Sequence, residues 1–288
     1  MCPSQKQERA KGHLSKETFI KLIEQLQGKI EIVEFALYGE ILIHPDYDWF
    51  IKYAKSKNIK TSVSTNASFL TAEHSRRLID SGLDHLIISI DDVSGGQYED
   101  IRKGSQFTKI IKNTQNFFEL NNGKIFTVIQ KIHMSINKTS TWSYIDEMLP
   151  LGADIVRLKP LRDLDRDKKN LRVSKTENIE KIQCPYLWKA PVITWKGQMV
   201  PCGNDYNATM IFGNVDTDDI TKVWDGKLFQ EMRQTHIDRN KESIDLCRGC
   251  TAIDFNHASF ALSSLFDGLN SRKVLSVLQT LKILCKEF

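Results

Sequence analysis

A chain of 288 residues with 41% hydrophobic and 26% charged side chains can bury a sizeable core in one large domain or two smaller ones. Forty Lys and Arg against 36 Asp and Glu leave a formal charge of +4, with no basic run long enough for a nucleic-acid arm. No stretch reaches the roughly 20 apolar residues of a membrane span, and the polar opening MCPSQKQERAKGHLS does not read as a signal peptide.

From about residue 15 to 160 helix and strand patterns alternate. Apolar spacing predicts a helix over 15–26 with Ser15 as its cap. A strand follows over 31–40, then a helix over 46–57 and a strand over 60–66. The stretch 71–82 predicts a helix capped by Thr71 and stopped by Gly82. A buried strand (83–91), a helix (107–120), a strand (125–134), a helix (142–152) and a strand ended by Pro160 (153–160) complete the series. This alternation predicts an α/β fold with a parallel sheet and right-handed crossovers. The chain opens on a loop and a helix, whereas an α/β barrel opens on a strand, so a strand is expected to be missing in front.

The pattern then changes. The run LRDLDRDKKNLR (161–172) alternates in charge sign and reads as a solvated linker. PVITW and QMVPC flank Lys196-Gly197 as a short hairpin, 218–236 reads as helical, and about 257–286 as a long terminal helix.

A cytoplasmic location is expected, where six cysteines serve as thiols or metal ligands rather than disulfides. Four of them, Cys184, Cys202, Cys247 and Cys250, are spaced by 18, 45 and 3 residues. A Cys-x-x-Cys pair with two distant partners supplies the four thiolates of a tetrahedral zinc or of an iron–sulfur cluster, and spacing alone leaves both open. Cys285 lacks a partner and reads as packing.

Ligands of parallel α/β sheets bind beyond the carboxyl ends of the strands. Tyr38-Gly39-Glu40, Ser64-Thr65-Asn66, Ser89 and Asp91, Gln130 and His133, and Arg157 and Lys159 fall at those ends. Singly, each has an ordinary reading as a turn, a cap or a salt bridge. Together on one rim they point to a cofactor pocket. His13, His74, His85, His236 and His257 show no ligand spacing and stay unassigned.

These residues carry a resemblance. MCP (1–3), YGEILIHPD (38–46), STNASFL (64–70), ISIDD (88–92), YEDIRKG (98–104) and the block from Cys184 to Cys250 occur in the order found in radical S-adenosylmethionine (radical SAM) enzymes with a C-terminal SPASM/Twitch auxiliary-cluster domain. Cys184, Gly197 and Cys202 meet that domain's Cys–Gly–Cys spacing, and Gly213, Trp224 and Met232-Arg233 its later text. The resemblance implies a partial (β/α)6 radical SAM barrel lacking its first strand over 1–162, a linker over 163–183, a SPASM/Twitch domain over 184–255 and a helical tail over 256–288.

It also implies roles. Cys2 resembles the third cysteine of the C-x-x-x-C-x-x-C loop that holds the catalytic 4Fe–4S cluster. The other two would lie upstream of Met1, so the chain reads as truncated inside that loop and incapable of radical chemistry as written. Glu40 resembles the carboxylate of the Gly-Gly-Glu-Pro segment that accepts from the methionine amino group, with Tyr38 in place of the first Gly and Ile41 in place of Pro. Ser64, Asn66, Ser89 and Asp91 resemble cofactor-lining residues, and Arg102 a carboxylate partner.

Cys184, Cys202, Cys247 and Cys250 match a single auxiliary 4Fe–4S cluster, full ligation of which suits electron transfer. The implied activity is oxidation or modification of a small polar substrate, sugar- or cyclitol-like, through a 5′-deoxyadenosyl radical, with S-adenosyl-L-methionine as cofactor and a flavodoxin- or ferredoxin-type electron donor. The alternatives are a maturase of a ribosomal peptide and a catalytically dead metal-binding remnant. No nucleic-acid or membrane partner is expected.

Overall fold

The first helix joins the two halves of the chain. In the computed structural model, which describes residues 6–36, 38–137, 139–161, 171 and 184–250, helix α1 spans Lys16–Leu26. Ser15 caps it as its sequence predicts, its hydroxyl accepting from Thr18 N at 3.0 Å. The buried residues Phe19, Leu22, Ile23 and Leu26 follow helical spacing but serve two partners. Phe19 and Ile23 pack against Phe50 and Ala54 of α2 (Tyr47–Ser56). Leu22 and Leu26 pack against Met199, Val215 and Phe229 from the cysteine-bearing half.

Five parallel strands follow: β1 (Ile32–Phe35), β2 (Lys60–Thr65), β3 (His85–Ser89), β4 (Phe126–His133) and β5 (Ile155–Pro160). Their order in the sheet is their order in the sequence. With no reversal of direction, every carboxyl end lies on one edge. Helices α2, α3 (Ala72–Asp80), α4 (Gly95–Ile101), α5 (Phe107–Asn121) and α6 (Thr141–Met148) fill the crossovers. Thr71 caps α3 and Gly82, at φ +74°, ends it.

Alternation along the strands divides the sheet faces. Val63, Leu86, Ile88 and Ile129 are buried in one core with Leu78 of α3 and Ile110 and Phe117 of α5. On the other face the positions nearest the carboxyl ends are polar: Ser89 registers with Gln130, and Gln130 with Arg157.

The cysteine-bearing half holds a small antiparallel sheet of β6 (Val192–Ile193), β7 (Gln198–Val200) and β8 (Gly213–Asn214). β6 and β7 form the expected hairpin around Gly197, whose φ is +73°. A side chain there would also press on Asn214 and Thr18, both 3.0 Å from the Cβ position. Helices α7 (Tyr186–Lys189), α8 (Ile220–Trp224) and α9 (Lys227–Ile237) complete it.

One sequence expectation is refined and one corrected. The stretch 218–236, helical as expected, is divided into two helices. Asp219 caps α8 by accepting from Thr221 N and Lys222 N, and the chain then folds back at Gly226, where a Cβ would lie 2.9 Å from the Lys222 carbonyl oxygen. The strand expected over 31–40 ends at Phe35. Glu40 instead caps a 3-10 turn, Ile41–Ile43, and Gly39 adopts φ +148° to reach it. Cys2, the residues from 172 to 183 and the terminal helix expected near 257–286 lie outside the described residues. Among the described residues no helix is long and apolar enough to cross a membrane.

Candidate functional site

Two sites emerge, one on the rim of the parallel sheet and one among the cysteines. On the rim, Glu40 is held by the end of β2. Its Oε1 accepts from Thr65 Oγ1 at 2.9 Å and from Leu42 N at 3.3 Å, and its Oε2 from Asn66 N at 3.0 Å. A carboxylate offers about four lone-pair sites, so three bonds leave room for one more donor. Burial pushes the Glu40 carboxyl above the usual carboxylate range. The bonds from Asn66, Thr65 and Leu42 and the charge of Arg102 pull it back. Asn66 closes its own turn by accepting from Ser68 N at 2.8 Å.

Asp91 is fully buried and its carboxylate is committed to the protein. Oδ2 accepts from Arg102 Nε at 2.6 Å, and Oδ1 from Ile132 N at 2.9 Å. Asp91 and Arg102, both read from the sequence as lining the cofactor, are thus brought together as an ion pair behind the rim. The field of Arg102 still reaches Glu40. Ser64 and Ser89 are half-buried on the polar side of β2 and β3. Gln130 Oε1 accepts from Arg157 Nη2 at 2.6 Å, which ties β4 to β5 on that side. Lys159 lies opposite Ile132, one turn of the pleat beyond Arg157.

The four cysteines of the second half also converge. None is in a disulfide. Cys247 is buried in an apolar cluster with Leu187 and Met232, against which Cys184, Phe212, Ile244 and Leu246 pack. Burial pushes the Cys202 thiol up to about 12, and the neighbouring Cys184 and Cys250 add to the rise; the Asn204 and Asp205 backbone N–H groups oppose it. Cys247 is raised too, by burial first and then by Cys202, Cys250 and Cys184. The other three cysteines thus all act on Cys247. Among the described residues, no three His, Cys, Asp or Glu side chains close on a single ion.

Two polar side chains attend these thiols. Asn204 Nδ2 donates to Cys250 Sγ at 3.0 Å. The buried His236 places Nε2 3.4 Å from Cys247 Sγ, and its burial, with the charge of Lys241, favours the neutral ring. Sequence spacing left His236 unassigned because a helix and a turn separate it from Cys247. Only the fold of α9 brings them together.

The family models divide the chain as the two sites do. A model described as the radical SAM superfamily matches residues 1–133, and SPASM, an iron–sulfur cluster-binding domain, matches residues 184–251. The chain belongs to the radical SAM superfamily and carries a SPASM domain.

Among its relatives, the Bacillus subtilis (strain 168) protein described as "Antilisterial bacteriocin subtilosin biosynthesis protein AlbA" is 24% identical over 302 residues, covering 94% of this chain. This chain spans 65% of the length of that relative. Two solved structures share the fold. BtrN in complex with AdoMet and 2-DOIA has a TM-score of 0.59 at 18% identity, covering 87% of this chain and 85% of that one. Streptococcus suis SuiB bound to precursor peptide SuiA has a TM-score of 0.64 at 15% identity, covering 81% and 63%.

The SPASM donor set fits an iron–sulfur cluster. It offers four thiols, an apolar wall and two side-chain polar groups within reach of sulfur. The radical SAM rim offers one carboxylate, Glu40, with capacity for an ammonium donor, consistent with S-adenosylmethionine.

Proposed function

We propose that the chain is the core of a radical SAM enzyme that oxidises or otherwise modifies a small polar substrate, with an auxiliary 4Fe–4S cluster on Cys184, Cys202, Cys247 and Cys250. The observation that carries the reading is the convergence of the four cysteines on Cys247: Cys184 packs in the same apolar cluster, and Cys202, Cys250 and Cys184 all act on its thiol. When bound, the cofactors supply hydrogen-atom abstraction on the barrel side and an electron acceptor on the SPASM side. The protein's own part is to hold and shield. Glu40 orients an ammonium group, and Cys247 and its apolar neighbours keep water from the SPASM side.

The five strands in sequential order support a partial (β/α)6 barrel over 1–162, with the SPASM domain over 184–255. Within it, Cys2 is assigned to the catalytic cluster, Glu40 to the methionine ammonium, and Ser64, Asn66 and Ser89 to the cofactor or substrate face. Asp91 and Arg102 support that face from behind. The polar row of Ser89, Gln130 and Arg157 favours a hydroxyl- or amine-bearing substrate. A flavodoxin- or ferredoxin-type protein is the proposed reductant.

A second reading, modification of a ribosomal peptide, is favoured by the relation to AlbA along 94% of this chain. Anaerobic reconstitution with iron and sulfide counting tests the auxiliary site. About four irons per chain on these cysteines is the expected result. Zinc in their place, or no metal, would overturn it. Product formation from an aminocyclitol rather than from a cysteine-containing peptide would decide between the substrates.

A further inference from the structure

Tyr38 stands between β1 and Glu40 on the cofactor rim, yet its side chain reaches the thiol site. Its hydroxyl donates to the carbonyl oxygen of Gly203, and its ring meets Tyr206 edge-on with centroids 5.6 Å apart. Gly203 directly follows Cys202. On the other side of the same peptide bond, the backbone N–H of Asn204 opposes the burial-driven rise of the Cys202 thiol. The Gly203–Asn204 peptide therefore carries a phenol on its oxygen and acts through its N–H on a ligand sulfur. The Asn204 side chain serves a second ligand, Cys250, at 3.0 Å.

The loop that presents this peptide is fixed. Arg9 Nε and Gln7 Nε2 donate to the Tyr206 carbonyl at 2.7 and 3.3 Å. Asp205 accepts from Thr209 N and Met210 N, both at 2.8 Å.

We propose that Tyr38 is a positioning residue that raises the reduction potential of the auxiliary cluster by hydrogen-bonding the Gly203–Asn204 peptide, and so couples that cluster to the turn carrying Glu40. The proposal rests on the reading of the four thiols as an iron–sulfur site. Amide resonance links the two ends of the peptide: an oxygen that accepts a bond draws charge from nitrogen and makes the N–H a stronger donor. A stronger donor to a ligand thiolate favours the reduced cluster, which carries one more negative charge. Glycine, which the radical SAM resemblance places at this position, has no group to reach Gly203.

The test is an EPR-monitored redox titration of the reconstituted 288-residue chain. Tyr38→Phe keeps the ring contact with Tyr206 and removes only the donor. It is expected to retain the iron content and lower the midpoint potential. Replacing Tyr38 by a fluorotyrosine, a more acidic donor, is expected to raise it. Intact clusters whose midpoints stay at the unsubstituted value overturn the role of the hydroxyl. If Tyr38→Phe loses its cluster, the fluorotyrosine chain decides alone, an unmoved midpoint overturning the proposal. An unsubstituted chain that takes up no cluster overturns the site reading itself, and is told apart by its iron count before any potential is measured.

Discussion

Lys131 and Asp92 face each other inside the protein, Nζ to Oδ2 at 3.7 Å, with side chains 1% and 0% exposed. Lys131 also donates to the Thr139 carbonyl at 3.2 Å and lies 4.8 Å from the centre of the Tyr144 ring. Asp92 Oδ1 takes Val93 N, Ser94 N and Thr139 Oγ1, whereas Oδ2 has no hydrogen-bond donor among the described residues and faces the Lys131 charge. Burial lowers the Lys131 ammonium below its ordinary value, and Asp92 opposes that fall. This pair fastens the turn after β3 to β4 directly behind Asp91 and Arg102.

Breaking it from one side leaves a buried charge without its counterion. Lys131→Met is expected to destabilise the fold by about 3–5 kcal/mol. Adding Asp92→Asn to that variant should recover much of the loss, because the uncompensated carboxylate is gone. Denaturant unfolding of both variants reads this out. Equal losses in the single and double variants would mean that packing, not charge, sets the cost.

The thiol site gives a chemical prediction. In the metal-free chain Cys202 and Cys247 are raised by burial and by their neighbours, Cys202 to about 12. Alkylation requires thiolate. Iodoacetamide at neutral pH is therefore expected to modify both far more slowly in the folded apo chain than in the same chain in denaturant. Peptide mass spectrometry over time measures the ratio. Equal rates in the two states would show that the pocket does not suppress these thiols.

These examples also show what the sequence could carry. The caps Ser15 and Thr71 and the stop at Gly82 act within one turn of chain, so local pattern located them. The cysteine grammar was legible because four like ligands recur at family spacing. Asp92 lies in the ISIDD stretch, but nothing local marks it as the partner of Lys131, 39 residues on. β8 is two residues, Gly213–Asn214, too short for any alternation. α4 opens on two glycines, poor helix formers, and is held by the buried Tyr98 and Ile101. Tyr38, Asn204 and His236 acquire their meaning only through contacts between distant segments.

Gly12 offers a packing test of how residues 6–12 sit on the SPASM domain. A Cβ at residue 12 would fall 2.6 Å from the Trp195 ring, whose Nε1 donates to the Ala10 carbonyl at 3.0 Å. Gly12→Ala is expected to cost about 1–3 kcal/mol, the range of an overpacked contact. In a Trp195→Leu background the same change should cost clearly less. Thermal melts of the four chains complete the cycle, and an undiminished cost without the indole would assign the effect to backbone freedom at Gly12 instead.

Glu40 supplies the pH dependence. Its carboxyl is raised by burial above the ordinary 4.5, with Asn66, Thr65, Leu42 and Arg102 opposing. Above its unfolded value the unfolded chain releases this proton more readily than the native one, so unfolding gains as pH rises. The associated stability is complete below about pH 4.5, its unfolded pKa, and is lost as pH climbs through the raised native pKa. Glu40→Gln has no proton to lose there. The melting temperature of the unsubstituted chain is thus expected to fall relative to Glu40→Gln across that window and then to run parallel at higher pH. A relative rise instead would mean that the bonds from Thr65 and Asn66 outweigh burial and that Glu40 is ionised in the native protein at lower pH. An ammonium donor such as the methionine end of S-adenosylmethionine favours the ionised carboxylate, so its binding should shift the same window downward in pH.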